Sequence, residues 1–377
     1  MAYGVAVAAL THDDRYRVMR FIVLCHRWVG GIAGLLLAVL GLSGALLVHK
    51  DLWTVVSHKG DAVVQSGQDV GRLVAQVMTE TGKHPQMIAF ASPSFGVDRV
   101  AYAGGAGAYL DQTGQLLTSW SSDWARPELW LVTLHRYLFM RPAGETVVGI
   151  AGFIGLALVI LGCIAWWRTR QTFEFRLWPK RMSRPAIIRQ HRDLGIVMTP
   201  VLLLSFITGV LMVFRPLGGL ALGPGAAQAI DHSLRPPHFQ SVKIGHDLDW
   251  QAMMETAREK FPQAEFRSLA LPRKGSGLIT IRMRQPSEWL PNGRTMLWFA
   301  ADTGQLVEAR DATLMPVQAR AFNDIFPLHT GKVGGIIYKL LMTLSGLTLA
   351  LLGFLATWTF WFAGGFKPAS KKKPQKA

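Results

Sequence analysis

Four histidines stand out by type and by spacing. His26, in FIVLCHRWVGG (residues 21–31), and His191, in IIRQHRDLGI (187–196), each open a long apolar run and are each followed by arginine. His135, in TLHRYL (133–138), and His329, in PLHTGK (327–332), each stand shortly before the next apolar run. A lone histidine at a membrane boundary is ordinarily an interfacial side chain, but these come as two matched pairs. Two imidazoles facing each other can hold one metal ion along a single axis, which is what a planar metal macrocycle needs from its protein. A zinc site would gather three or four ligands with cysteine or carboxylate among them, and no such sequence cluster surrounds these residues. Covalently attached haem is excluded by the absence of CxxCH. The residue types therefore point to two haem b groups, one with His26 and His191 as axial iron ligands, the other with His135 and His329.

Four apolar runs position these residues: 21–49, 146–167, 194–214 and 335–362. At about 1.5 Å per residue each is long enough to cross a hydrocarbon core of about 30 Å. The first run carries an intramembrane histidine and no small-residue cleavage site after it, so it reads as a retained span and not a removed signal peptide. The net charge of +16 does not indicate nucleic acid, because the cations crowd beside the spans. Segment 168–193 holds eight Lys or Arg against two acids, and five lysines follow Phe366. By the positive-inside rule the N-terminus (1–20), the loop 168–193 and the tail 363–377 are cytoplasmic, in a bacterial inner membrane. Segments 50–145 and 215–334 are then periplasmic. Cys25 and Cys163 both fall near cytoplasmic ends of spans, which leaves the outer segments without disulfides.

An internal repeat organises the chain. At an offset of 165 residues His26 meets His191, Arg27 meets Arg192, Gly30 meets Gly195, Gly44 meets Gly209 and Lys50 meets Arg215. Further on, LDQTGQLL (110–117) matches AADTGQLV (300–307), and the two LH words match. Both halves begin on the same side, so they are parallel repeats about an axis along the membrane normal. The expected architecture is a four-helix transmembrane bundle with two small α+β periplasmic domains. Each domain opens with a helical pattern, VGRLVAQVMTETG or DWQAMMETAREKF, followed by strand candidates such as DRVAYA, LITIRMR and RTMLWFA. LRPPHF (234–239) reads as a rigid connector. In an antiparallel bundle the first and third helices are diagonal, as are the second and fourth, so each histidine pair points into the shared core.

Neighbouring residues sharpen this. Gly30, Gly34 and Gly41 lie within about 80° of His26 on its helix, a stripe that either leaves room for a porphyrin or packs helices closely. Arg27, Arg136 and Arg192 follow histidines and point about 100° away, so they either neutralise haem propionates or snorkel to lipid headgroups. His49 stands about 35 Å along the helix from His26, close enough to the outer surface to compete for the outer haem. Its repeat counterpart is Phe214, which favours His135 and His329. His12, His58, His84, His232, His238 and His246 sit in polar or loop contexts without partner spacing. Trp166, Trp167, Trp358 and Trp361 read as an interfacial aromatic belt.

LCHRWVGG, GLSGALLVHKDL, TLHRYLF and PLHTGKVGG resemble the PepSY-associated transmembrane proteins, over nearly the whole chain. Within that family the resemblance is closest to a four-span branch that includes inner-membrane iron-siderophore reductases with paired PepSY-like outer domains and two b haems. It implies an oxidoreductase that carries electrons across the membrane to a periplasmic acceptor, a ferric siderophore, whose reduction to Fe(II) loosens hard oxygen ligands. No GxGxxG sits between a strand and a helix, so the electrons come from a quinol or a reductase partner. The alternatives are a quinone-linked cytochrome b, a non-enzymatic peptide-binding or assembly module, and a transporter. The expected spans contain no internal Asp or Glu, which counts against the last.

Overall fold

The computed structural model describes residues 12–54, 58, 60–80, 85–239, 245, 247–272 and 277–362. Residues 1–11 of the N-terminus expected at 1–20, the tail expected at 363–377, and His84 and His246 lie outside the described residues. In chain order the helices are α1 (His12–Val48), α2 (Lys50–Trp53), α3 (Gly67–Glu80), α4 (Pro127–Tyr137), α5 (Ala143–Trp167), α6 (Arg184–Val213), α7 (Arg215–Ala221), α8 (Ala226–Leu234), α9 (Trp250–Lys260), α10 (Val317–Thr330) and α11 (Gly335–Trp361). The strands are β1 (Met87–Ala89), β2 (Asp98–Ala101), β3 (Gly107–Leu110), β4 (Leu116–Trp120), β5 (Glu265–Ala270), β6 (Leu278–Arg284), β7 (Thr295–Ala300) and β8 (Leu306–Arg310). Among the described residues four helices, α1, α5, α6 and α11, are long and apolar enough to cross a membrane. The protein is a membrane protein.

The contacts divide the chain into two units, one made of Met1–Ala45, Thr146–Val210 and Leu341–Ala377, the other of Leu46–Glu145 and Leu211–Leu340. In the first unit α1 and α11 approach backbone to backbone. A Cβ on Gly34 would stand 2.7 Å from the Gly353 carbonyl oxygen, and one on Gly41 2.6 Å from that of Gly346. Without water to drive apolar burial, small residues let helices gain close dispersion contact, and this seam uses them. Ser205 Oγ and Ser345 Oγ, 3.0 Å apart, join α6 to α11, and Trp361 Nε1 donates to the Gly31 carbonyl at 3.1 Å.

The third spanning helix begins ten residues before its apolar run. Arg184 and Pro185 open it, where proline's missing N–H costs nothing, so residues 184–193 belong to α6 and not to the basic loop. His191 is therefore two turns inside the helix. So is Asp193, fully buried, which corrects the expectation that the spanning helices hold no internal acid.

The second unit holds one sheet where two separate domains were expected. Helix and four strands recur as α3-β1-β2-β3-β4 and α9-β5-β6-β7-β8, and the central strands β1 and β5 pair antiparallel to make an eight-stranded sheet in the order β4-β3-β2-β1-β5-β6-β7-β8. Ile88 sits opposite Leu269 across that junction. Helices α3 and α9 cover one face and bury Val74, Met254, Ile88, Leu269, Ile281 and Leu297 completely. Each such side chain contributes about 1.5–3 kcal/mol. Two separate four-stranded sheets would leave unpaired backbone groups at β1 and β5; joining them satisfies both.

Candidate histidine sites

In the first unit α1, α5, α6 and α11 enclose a cavity of about 450 Å³. His26 from α1 and His191 from α6 meet on its wall with ring centroids 6.0 Å apart and planes at 81°. The lining is mainly aliphatic, with Leu37, Leu158, Val159, Leu202 and Leu352 among it. Glycines shape the space beside the rings. A Cβ on Gly162 would stand 3.3 Å from His26 Cε1, whereas one on Gly30 or Gly195 would meet only a leucine methyl at 3.8 Å. The glycine stripe of α1 thus divides: Gly30 has open space toward the cavity, Gly34 borders the cavity but is packed against α11, and Gly41 serves the seam with α11. Two buried nitrogen atoms on this lining, His26 Nδ1 and Trp166 Nε1, have no hydrogen-bond partner among the described residues. Trp166 is therefore a cavity residue, while Trp167, Trp358 and Trp361 are exposed as a belt requires.

The helix carrying His191 is held by the loop before it. Asp193 accepts from Arg176 and, at 2.7 Å, from Arg192 Nε. Arg192 also donates to the Thr172 hydroxyl and carbonyl, both at 2.7 Å, and the buried Gln190 Nε2 donates to the Leu177 carbonyl at 3.0 Å. These bonds clasp residues 172–177 onto the turn of α6 that presents His191. They also engage the guanidinium of Arg192. Arg27 is exposed and lies over the Phe360 ring at 5.9 Å. Asp193, Gln190 and Arg176 carried no sequence signal, since Arg176 and Asp193 stand 17 positions apart with no periodicity between them.

In the second unit His135 and His329 come together with ring centroids 6.3 Å apart and planes at 44°. Each lies in the last turn of its helix, α4 or α10. Both helices stop at once: Leu138 and Gly331 cap them in the left-handed conformation. After His135 two successive non-glycine residues, Leu138 and Phe139, have positive φ (45° and 61°). Such backbone is costly and persists where surrounding packing imposes it, commonly at functional sites. Arg136 lies 3.4 Å from Glu145 and over the Tyr137 ring at 5.0 Å. His49 occupies the junction between α1 and α2.

A charged clasp borders this second pair. Asp51 takes the Lys332 ammonium at 2.8 Å and lies 3.7 Å from that of Lys50, tying α2 to the turn after His329. Burial would raise the Asp51 carboxyl, but the two lysines outweigh it and hold it below the ordinary range. Burial lowers the Lys50 ammonium, with Asp51 opposing and Lys332 and Arg99 adding to the shift. Of the remaining histidines, His58 Nδ1 contacts Asp61 at 3.0 Å. Among the described residues no group of three or more His, Cys, Asp or Glu converges as a metal site.

Four helices of membrane-crossing length, an eight-stranded sheet and two histidine pairs make up this membrane protein. The chain belongs to the family described as PepSY-associated TM region, which matches residues 23–363. No curated protein matches it.

Proposed function

We propose that the protein binds two haem b groups, one between His26 and His191 and one between His135 and His329, and carries electrons across the bacterial inner membrane to a periplasmic ferric siderophore. One observation supports this above all: both repeat-matched histidine pairs meet, at 6.0 and 6.3 Å. Imidazoles at this separation would hold a haem iron between them. The orphaned nitrogens of His26 and Trp166 and the open side of Gly30 also fit a bound group in the first cavity.

A haem held between two imidazoles would supply one-electron transfer when bound. The chain's own residues do the rest. Aliphatic walls exclude water from the first pair, the Asp193 clasp fixes the rotation of α6, and the Asp51 clasp holds the end of α10. The side assignments rest on the basic segments: cations beside the spans put both termini and residues 168–183 in the cytoplasm, facing anionic lipid, and the sheet in the periplasm. A quinol or a partner reductase supplies the electrons, since no nucleotide-binding fingerprint is present.

A reduced-minus-oxidised optical spectrum of purified protein is the first test, with His26→Ala and His191→Ala expected to remove the same haem. Dithionite-reduced protein mixed anaerobically with a ferric siderophore should reoxidise while a ferrous trap develops colour, and His135→Ala or His329→Ala should abolish this. Colourless protein would sink the reading in favour of an assembly or peptide-binding role. Reoxidation by quinone but by no ferric chelate would replace the siderophore role with a quinone-linked one.

A further inference from the structure

The register of the sheet lays two rows side by side. One row, Ala108, Val100, Ile88, Leu269, Ile281 and Leu297, is buried throughout against α3 and α9. The next row, Tyr109, Arg99, Ala89, Ser268, Arg282 and Met296, falls on the opposite face, because side chains alternate along each strand. Its two arginines occupy matching places. Each stands one strand outside the central β1–β5 pair, and the small residues Ala89 and Ser268 fill the places between them. Three strand steps of about 4.8 Å separate the two Cα atoms by about 14 Å, with a floor of little bulk.

Cations outnumber carboxylates at both ends of this row: Arg99, Lys50 and Arg126 against Asp51 and Glu128, and Arg282, Arg294 and Arg215 against Glu288. Arg99 Nε is buried and has no hydrogen-bond partner among the described residues. Its cationic neighbour Lys50 lies 3.7 Å from Asp51, which Lys332 shares. The nearby acid, Glu128, gives Oε1 to Arg126 at 2.8 Å and to the Tyr109 hydroxyl at 3.0 Å. At the other end Arg282 has Arg294 as a like-charged neighbour, with Arg215 beyond it. Glu288 is the acid there, and it accepts from the Gln285 N–H at 2.7 Å, the Arg294 N–H at 2.5 Å and the Thr295 hydroxyl at 3.4 Å. Burial, with Arg282 adding to it, brings the Arg294 guanidinium down to about 10. Grouped, partly buried cations are strongly disfavoured unless an anion completes them.

We propose that this row seats an anionic ligand with two carboxylates, one held by Arg99 beside Lys50, the other by Arg282 beside Arg294, the body of the ligand lying over Ala89 and Ser268. Guanidinium takes a carboxylate through two parallel N–H bonds, a geometry that a lysine does not reproduce. The site stands on the sheet alone; naming its occupant rests on the haem reading. The same chemistry has two sources, the propionates of a haem on His135 and His329 or the carboxylates of an acidic ferric chelate. Both histidine-bearing helices border the row: Glu128 of α4 accepts from the Tyr109 hydroxyl at 3.0 Å, and Asn323 of α10 accepts from Arg294 Nε at 3.2 Å.

The test uses full-length protein in neutral-lipid nanodiscs and citrate as the soluble probe, read by calorimetry. Two charge-assisted pairs predict that Arg99→Gln with Arg282→Gln weakens citrate about 100-fold, and each single variant about tenfold. A second arm titrates apo protein with haem b and with its uncharged dimethyl ester. If propionates are the occupant, the ester binds about tenfold more weakly and haem b displaces citrate. If an external chelate is the occupant, haem b and ester bind alike and citrate binds the loaded protein unchanged. The proposal is overturned if wild type binds no citrate and the Gln substitutions leave the difference between haem b and ester as it was. Should the double variant fail to fold, the single variants carry the same test. Protein that binds citrate normally but takes up no haem would end the haem reading and leave this site standing.

Discussion

Two glycines four residues apart on α1 should respond to alanine in opposite directions. At Gly30 the new methyl has room, its nearest neighbour being Leu158 Cδ2 at 3.8 Å. The helix gains about 1 kcal/mol from replacing glycine in its interior. At Gly34 the methyl would stand 2.7 Å from both the Gly353 carbonyl oxygen and Thr357 Oγ1. An ordinary contact is longer, so α1 and α11 must move apart along a seam that Gly41 and Gly346 also use, at a cost of about 1–3 kcal/mol. The two variants should therefore differ by about 2–4 kcal/mol, with apo Gly30→Ala melting above wild type and apo Gly34→Ala below it. Thermal unfolding in detergent, on protein made without haem, reads this directly. Gly30→Leu then separates packing from cofactor binding, because it fills the cavity without touching the seam. It should keep apo stability and lose the haem of the first pair. If Gly30→Ala destabilises apo protein as much as Gly34→Ala, or if Gly30→Leu keeps full haem content, the division of the stripe is wrong.

Other expectations follow from the same geometry. Burial raises the Asp98 carboxyl from 3.8 to about 7, so between those values the folded chain binds more protons than the unfolded one and stability falls as pH rises. The loss reaches about 4 kcal/mol above pH 7, and Asp98→Asn, which keeps an acceptor for the Ala91 N–H, should flatten the curve and be the more stable form at pH 8; a wild type with constant urea stability from pH 5 to 8 would contradict this. Asp193→Ala leaves Arg192 without its carboxylate and Arg176 with Glu174 alone, costs about 3 kcal/mol and should speed tryptic cleavage within 168–183; unchanged cleavage would show that the clasp does not hold the loop. His49→Phe installs the residue found at the matching repeat position and should leave haem content unaltered. Disappearance of the outer haem spectrum in that variant would make His49 a ligand.

The four spanning helices were legible in the sequence because a membrane imposes a length and an apolar composition on any helix that crosses it. Histidine pairing was legible for a related reason: two halves with the same words fold alike, so matched residues occupy matched places, as the two 6 Å pairs show. Local patterns also located the helices α3 and α9 and the strands β6 and β7 within a few residues. What depended on contact between distant segments was not legible. The start of α6 at Arg184 is anchored by buried Gln190 and Asp193, bonded to Leu177 and Arg176 of the preceding segment, which no hydropathy window registers. Whether a glycine makes room or makes contact is a question about the neighbouring helix, and Gly30 and Gly34 answer it differently. The joining of two expected domains into one sheet depends on β1 meeting β5, a three-residue strand whose backbone bonds carry no side-chain signature. Only that junction brings Arg99 and Arg282 into one row, because each is aligned by its own hairpin and the two hairpins meet only where Ala89 of β1 pairs with Ser268 of β5, far apart in the chain.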